Sequence, residues 1–399
     1  IGVPLWLWTI FLGLSAYGLC SPGIIFWSIF GLIALVFNLP PLRLMLSKAI
    51  MALMTKLKFV PKISDTEKQA LKAGDVWVER ELFSGKPNWD KILKQKWPEL
   101  TEEEKAFMDG PLTELCKMSD DWQIWQDRKI SDEVWEFIKK QKFLGMIIPK
   151  EYGGLGFSAF AHSEVIAALS ARSFPVGISV MVPNSLGPAE LLIHYGTEEQ
   201  KKNYLPKLAN GEEIPCFALT EPTAGSDAAS IQANGEVFKG DDGKLYMKLN
   251  WNKRWITLAS ISTTLGLAFK LKDPDNLLGK GEDLGITCAL IPTSTPGVTA
   301  ERRHDPLGVP FHNCPTQGKD VVVSIDQIIG GADMAGKGWQ MLMASLAAGR
   351  GISLPALSTG GQKYIARVAS AHSTVRKQFG MSIGTVSYTH LTLPTNDRV

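Results

Sequence analysis

No charged residue precedes Arg43. So long an uncharged stretch cannot rest in water at a favourable free energy. It needs a protein core or a lipid phase to receive it. The stretch divides in two. Pro4 to Cys20 form one apolar run rich in Leu and Trp, Ser21-Pro22-Gly23 break it as a turn does, and Ile24 to Leu39 form a second run closed by Pro40-Pro41. Each run falls slightly short of the roughly 20 residues that a spanning helix needs. Two short tilted spans, or one re-entrant hairpin, fit better than a single straight helix; a helix buried in a soluble core is the plain alternative. A secretory signal would need a basic start and a small-residue cleavage site, and the stretch shows neither.

Arg43, Lys48, Lys56, Lys58 and Lys62 all come before the first acid, Asp65. The positive-inside rule puts this flank, and the soluble part after it, on the cytoplasmic side. Leu46, Ala49, Ile50, Leu53 and Leu57 share one helical face, with Arg43, Ser47, Lys48, Thr55 and Lys58 opposite. That pattern predicts a basic amphipathic helix lying on anionic lipid, or else a helix packed on the soluble part.

The rest reads as an ordinary folded protein. With 45% hydrophobic residues and a net charge of +2, the 399-residue chain is neither a disordered tail nor a basic nucleic-acid binder. Its five cysteines form no CxxC pair and its six histidines are scattered, so neither a disulfide framework nor a metal site is expected. His312 and Cys314 read as ordinary loop residues. We divide the chain into apolar segments over 1–42, a basic helix or linker over 43–62, a helical domain over 63–213, a β domain over 214–327, the start of a second helical domain over 328–384, and a tail over 385–399.

The helical domain carries N-cap patterns at Ser64-Asp65-Thr66-Glu67 and Thr101-Glu102-Glu103-Glu104. Trp77, Trp89, Trp97, Trp122, Trp125 and Trp135 are spread along it, and packing between helices is their expected role. Gly153-Gly154-Leu155-Gly156 reads as a turn. The β domain is punctuated by Gly235, Gly240, Asp241-Asp242-Gly243 and Gly285, between runs such as Lys244–Leu249 and Ile286–Ile291 that read as strands. Helical patterns return at Trp339–Leu346 and Ile365–Phe379. Helices, then strands, then helices define an α+β class with segregated layers. No GxGxxG opens a βαβ unit, so a Rossmann site is not indicated.

Two segments carry chemistry. In Cys216-Phe217-Ala218-Leu219-Thr220-Glu221-Pro222-Thr223-Ala224-Gly225-Ser226-Asp227, a strand runs into a loop of small residues and hydroxyls. Gly225 would let a ligand approach the backbone, and Ser226 with neighbouring amides could bind phosphate. A nucleophilic Ser226 is the rival, but no GxSxG elbow or histidine partner accompanies it. In Asn252-Lys253-Arg254-Trp255-Ile256-Thr257, Trp255 and Thr257 are two apart, on one face of a strand, where a flat aromatic and a hydroxyl could meet a planar ring. Alone, this segment is better read as an amphipathic strand with a core Trp.

Together, in this order, the TEPxAGSD and WIT segments resemble the flavin motifs of the acyl-CoA dehydrogenase family. Gly196-Thr197-Glu198-Glu199-Gln200-Lys201, Tyr204-Leu205-Pro206, Gly336-Lys337-Gly338-Trp339 and Arg376-Lys377-Gln378-Phe379-Gly380 resemble further family segments, and the likeness covers about Lys142 to Gly384. With the apolar start and the Trp251-Asn252-Lys253-Arg254 context, the chain looks most like the family's membrane-associated bacterial branch, of the FadE type. The resemblance implies an N-terminal helical domain, a middle β domain and the start of a C-terminal helical bundle, preceded here by a membrane hairpin in the bacterial inner membrane. It implies FAD held by Phe217, Leu219, Thr220, Gly225, Ser226, Trp255 and Thr257, with Thr257 near flavin N5. It implies acyl-CoA beside Ser226 and Arg350. Ala347-Ala348-Gly349, just before Arg350, depart from the family's usual turn. Arg376, Gln378 and Phe379 would reach the FAD of a neighbouring subunit, hence a homo-oligomer. The implied reaction oxidises fatty acyl-CoA, of medium or long chain, to trans-2-enoyl-CoA in β-oxidation, with an electron-transfer flavoprotein as acceptor.

The family's base is a glutamate late in the C-terminal helical domain. None of this chain's glutamates occupies that motif, so no catalytic residue is named and the base is expected beyond the chain end. Thr385 to Pro394 are β-branched, lack helical periodicity and resemble translated adaptor sequence, which suggests a truncated chain with a non-native tail; a short C-terminal strand is the alternative. A membrane-anchored module that binds acyl-CoA or flavin without dehydrogenase activity is the second functional reading.

Overall fold

A computed structural model describes residues 3–20, 22–59, 68, 78–83, 85, 87–185, 187–300 and 302–385, with backbone alone at 79, 80, 346–348 and 350. The expected cap at Ser64–Glu67, Trp77 and the tail from 386 lie outside the described residues. The chain separates into two bodies, Ile1–Lys96 and Trp97–Val399.

In the first body the two apolar runs become helices α1 (Leu5–Cys20) and α2 (Ile24–Asn38), and the basic flank becomes α3 (Pro40–Lys56). Leu39 is extended, as a residue before proline prefers, and Pro40 restarts the helix at its first turn. The result is an 85° bend between α2 and α3. No residue of α1, α2 or α3 is buried. Among the described residues no single helix is long and apolar enough to cross a membrane; α2 and α3 meet that criterion only as a bent pair. Short helices α4 (Val78–Phe83) and α5 (Trp89–Leu93) complete this body, α5 capped by the Asn88 side chain.

The second body opens with α6 (Glu102–Phe107), where the expected cap forms in full: Thr101 accepts from the Glu104 amide and Glu104 from the Thr101 amide. Glu104 also accepts from the Ser158 amide at 2.7 Å, which ties this cap to the next helical layer. Helices α7 (Thr113–Met118), α8 (Asp121–Asp127), α9 (Asp132–Lys140), α10 (Ala159–Arg172), α11 (Phe174–Met181), α12 (Pro188–Tyr195) and α13 (Glu198–Asn210) follow. In α9 the logic is local. Ser131 caps it, acids fill the first turn and lysines the last, and Val134, Trp135 and Ile138 form the buried stripe. Trp89, Trp97 and Trp122, by contrast, are more than half exposed, at 56%, 65% and 74%. Trp125, also exposed, lies under the Arg128 guanidinium at 5.4 Å.

Seven strands follow: β1 (Pro215–Ala218), β2 (Asn234–Lys239), β3 (Leu245–Thr257), β4 (Thr264–Lys272), β5 (Asp283–Pro292), β6 (Val298–Ala300) and β7 (Asn313–Ser324). They form one mixed sheet: β1 and β2 lie along one edge of β4, at residues 264–267 and 270–272, β5 pairs with its other edge, and β2 leads on through β3 and β7 to β6. Cys314 is therefore a buried strand residue rather than part of a loop, and His312 just before it shares a 2.9 Å hydrogen bond with Ser260. The two expected helical patterns after the sheet merge into one helix, α14 (Gly338–Val375), which runs straight through Pro355. Its first half lies on α10, where Gly360 approaches so closely that a Cβ would sit 2.4 Å from the Ala167 carbonyl. Beyond Gly361 nearly every residue is exposed. A two-stranded ribbon, β8 (Lys377–Gln378) with β9 (Met381–Ser382), and a single helical turn, Ile383–Thr385, end the described chain.

Candidate functional site

The two motif segments meet at the end of β3. The loop after β1 turns tightly, with the amides and carbonyls of Glu221 and Ala224 paired at 3.0 and 3.3 Å. It is then bonded to β3 at three successive points. Lys253 Nζ donates to the Leu219 carbonyl at 2.9 Å, the Arg254 amide to the Thr220 carbonyl at 3.1 Å, and the Arg254 guanidinium to the Pro222 carbonyl at 3.1 Å.

At the centre is a buried ion pair that the sequence reading did not identify. Lys253 Nζ lies 2.8 Å from Glu221 Oε1, with the two side chains 0% and 3% exposed. Glu221 also accepts from the Gln232 amide at 2.5 Å and the Ala233 amide at 2.9 Å. Burial raises the Glu221 carboxyl, but the Gln232 amide, the Lys253 ammonium and the Ala233 amide outweigh it and hold it below its usual range. Burial lowers Lys253 below its usual range despite Glu221. The environment thus favours one charge and penalises the other. We conclude that the pair fixes the loop's position more than it adds net stability.

The signal was present in the strand period. Met247, Leu249, Trp251 and Lys253 alternate as buried residues of β3, so a cation occupies a core position and needs a buried acid.

Beyond Lys253 the register slips against β7, from Lys253 opposite Thr316 to Ile256 opposite Cys314. The extra residue bulges the strand, and Trp255 takes a φ of +62°. Such a backbone costs a bulky residue about 1–3 kcal/mol and persists because its neighbours hold it. The bulge turns the indole outward, 52% exposed, with the Arg254 guanidinium 5.6 Å above it and the His304 ring edge-on at 4.5 Å. Trp255 and Thr257 both lie outside buried Ile256, as their spacing predicted, although a bulge rather than regular alternation places Trp255.

Thr257 Oγ1 accepts from Asn313 Nδ2 at 3.1 Å, and the Asn313 carbonyl accepts from the His304 amide at 2.9 Å. Arg254 Nε, His304 Nε2 and Asn313 Oδ1 are buried polar atoms that find no protein partner in this structure. All three cluster around Trp255 and Thr257. Beside them lies a cavity of about 600 Å³ lined by Arg128, Arg302, Arg303, His304 and Asp305. Asp305 is bonded to Arg128 and Arg303, and these cations hold its carboxyl below its usual range against the opposing effect of burial.

The other expected residues lie at several separate places. Phe217 is half-buried on β1, opposite Gly266, where a Cβ would lie 2.5 Å from its ring. Gly225 and Ser226 are exposed at the far side of the loop; a Cβ at Gly225 would meet nothing within 4 Å, so no protein contact demands glycine there. Arg376, Gln378 and Phe379 are exposed on the terminal ribbon, at the far end of a helix about 57 Å long at 1.5 Å per residue. Arg350 lies within α14, and its side chain is outside the described ones. No cluster of His, Cys, Asp and Glu able to hold a metal occurs among the described residues.

An outward indole, a neighbouring hydroxyl, unsatisfied polar atoms and a glycine facing open space together fit a large planar, phosphate-bearing cofactor. A helical domain before a mixed β domain, and a long helix after it, define the class. The family model described as acyl-CoA dehydrogenase, N-terminal domain, matches residues 101–212, and that for the middle domain matches residues 216–321. The chain belongs to the acyl-CoA dehydrogenase family.

It is 31% identical over 309 residues to the probable acyl-CoA dehydrogenase FadE10 of Mycobacterium tuberculosis, covering 76% of this chain and 45% of that protein. It is 60% identical over 104 residues to Protein HemX of Proteus mirabilis, covering 26% of this chain and 61% of that protein. Among solved structures, an acyl-CoA dehydrogenase complexed with FAD from Bacillus anthracis aligns with a TM-score of 0.57 at 23% identity, over 71% of this chain and 44% of that one. The chain spans about half the length of the curated relatives it matches.

Proposed function

We propose that the protein represented by this chain is an FAD-dependent dehydrogenase of fatty acyl-CoA, with medium or long chains as substrates and trans-2-enoyl-CoA as product. The observation that carries this reading is the bond of the Arg254 amide to the Thr220 carbonyl, which joins the two motif segments into one site beside an outward Trp255. When bound, FAD accepts the hydride that leaves the β-carbon of the thioester. Thr220, Trp255 and Thr257 would hold the ring, and Gly225 and Ser226 the pyrophosphate. Trp255 covers one edge of the site and limits water there, and Asn313 orients the Thr257 hydroxyl. Ser226 and Arg350 would bind the acyl-CoA. No residue of this chain is assigned as the base that takes the α-proton.

Arg376, Gln378 and Phe379 would serve the FAD of a second subunit, and an electron-transfer flavoprotein would be the acceptor. Helices α1 to α3 would anchor the protein to the bacterial inner membrane, with the catalytic body on the cytoplasmic side. Their support is the uncharged stretch before Arg43, its all-basic flank and the complete lack of buried residues along all three helices.

The test of the site is Thr257→Val. It removes the hydroxyl that Asn313 orients, worth about 1 kcal/mol. FAD retention should weaken or the flavin spectrum shift. An unchanged spectrum, FAD affinity and turnover with palmitoyl-CoA would refute the assignment.

A further inference from the structure

We propose that α1 and α2 enter the bilayer as one re-entrant hairpin, with Cys20 at a tip that stays within the lipid and α3 lying along the surface it enters from. This rests on the membrane anchoring proposed above and adds its depth and orientation.

The two helices form an antiparallel pair. Asn38 Nδ2 donates to Thr9 Oγ1 at 2.9 Å, joining the end of α2 to the second turn of α1. Deeper in, Phe30 and Trp27 pack on Gly13, where a Cβ would lie 3.5 Å from the Phe30 ring. A small residue at the contact and one polar bond across it are the means by which helices associate in lipid. Around this seam both helices are apolar on their outer sides: Phe11, Leu14, Leu19, Ile24, Ile25 and Leu32 are 59–84% exposed. A helix apolar all round requires an apolar surrounding, and no residue of this hairpin is buried in the protein. Between their end turns both helices pair their backbone groups internally, as a lipid phase demands.

Charge and angle set the orientation. The wide end of the hairpin leads into α3, which carries Arg43, Lys48 and Lys56, with Lys58 just after it and no acid. Each basic residue near an anionic surface contributes about 1 kcal/mol of attraction. With α3 lying flat on such a surface, the 85° bend points α2 almost along the membrane normal.

Length sets the depth. At 1.5 Å per residue, the 16 residues of α1 and 15 of α2 reach about 24 and 22 Å. The hydrocarbon core is about 30 Å thick. The tip therefore stops inside the far leaflet. Its sequence agrees: Cys20-Ser21-Pro22-Gly23 carries no charge to hold it in water on the far side. The Asn38–Thr9 hydrogen bond between the helices lies near the wide end, where polar groups in lipid are least costly.

The experiment uses the whole protein in oriented membrane vesicles of both orientations, treated with a membrane-impermeant maleimide. A Cys20→Ser variant gives the background from the remaining thiols, and Lys58→Cys in that background reports the near side. The expected result is that Lys58→Cys labels from the cytoplasmic side, while Cys20 stays at background from both sides until detergent is added. Labelling of Cys20 from the side opposite Lys58→Cys would overturn the re-entrant hairpin in favour of full spans and leave the anchoring intact. Labelling of both from the same side without detergent, or release of the protein by high salt alone, would overturn the anchoring itself.

Discussion

Lys253→Met is the most direct probe of how the loop and the sheet are joined. The substitution keeps an unbranched side chain of similar length and removes the cation bonded to buried Glu221. Breaking a buried pair from one side costs about 3–5 kcal/mol, because a charge is left without its partner. Glu221 keeps the Gln232 and Ala233 amides, so the lower end applies, about 3 kcal/mol or roughly a hundredfold in the folded-to-unfolded ratio. The Leu219 carbonyl also loses its donor. In the double variant Lys253→Met with Glu221→Leu no charge is left buried, and stability should return to the parent value or above it. The Lys253 bond to Leu219 is still missing and the Glu221 bonds to Gln232 and Ala233 are now lost as well, so FAD affinity should not return with it. Urea unfolding followed by fluorescence gives the first quantity and FAD titration the second. If the single variant unfolds within about 0.5 kcal/mol of the parent, as a neutral surface change does, the reasoning fails. If FAD affinity recovers fully in the double variant, the pair does not position the loop.

Burial holds the His162 imidazole down to about 4, against an ordinary value of 6.5. The unfolded chain therefore takes up this proton first as pH falls. Stability should drop between pH 6.5 and 4 by about 3 kcal/mol from this group, and His162→Leu should flatten that slope in urea midpoints measured across the range. An equal slope in both proteins would refute it. Gly266→Ala sets a methyl 2.5 Å from the Phe217 ring and should cost about 1–3 kcal/mol by overpacking. Adding Phe217→Leu should recover part of the melting temperature lost; no loss in the single variant would show that the strand pair yields freely.

Much of this was legible in the sequence because it is local. Thr101 with Glu104 forms its cap from residues three apart, and the two motif segments are each continuous. What could not be read is what meets across the fold. The bulge at Trp255 exists only relative to the register of β7, which no pattern within β3 reveals. Asn313 and His304 reach the site from a loop and a strand end that carry no motif. The Glu221–Lys253 pair had a readable half, a lysine in phase with buried positions, but its partner lies 32 residues away in sequence. The patterns at Trp339–Leu346 and Ile365–Phe379 did not show that one helix joins them through Pro355, where packing on α10 outweighs the single backbone bond a proline removes. The exposed tryptophans show the converse: an aromatic in an amphipathic stretch does not declare which side of the helix has a partner.

The long helix α14 has a consequence in time as well as space. Its first half is held by α10, whereas from Gly361 to Val375 it stands in solvent with Tyr364, Ile365 and Val368 uncovered. An unsupported helix of about 15 residues is marginal in water. Its amides should therefore open and exchange with deuterium far faster than those between Trp339 and Leu357, though the two halves belong to one continuous helix. Any surface that settles on those three side chains must slow that exchange in step with its occupancy. Isotope uptake over this one segment would then record, in the intact protein, when the arm bearing Arg376 has found something to lie against.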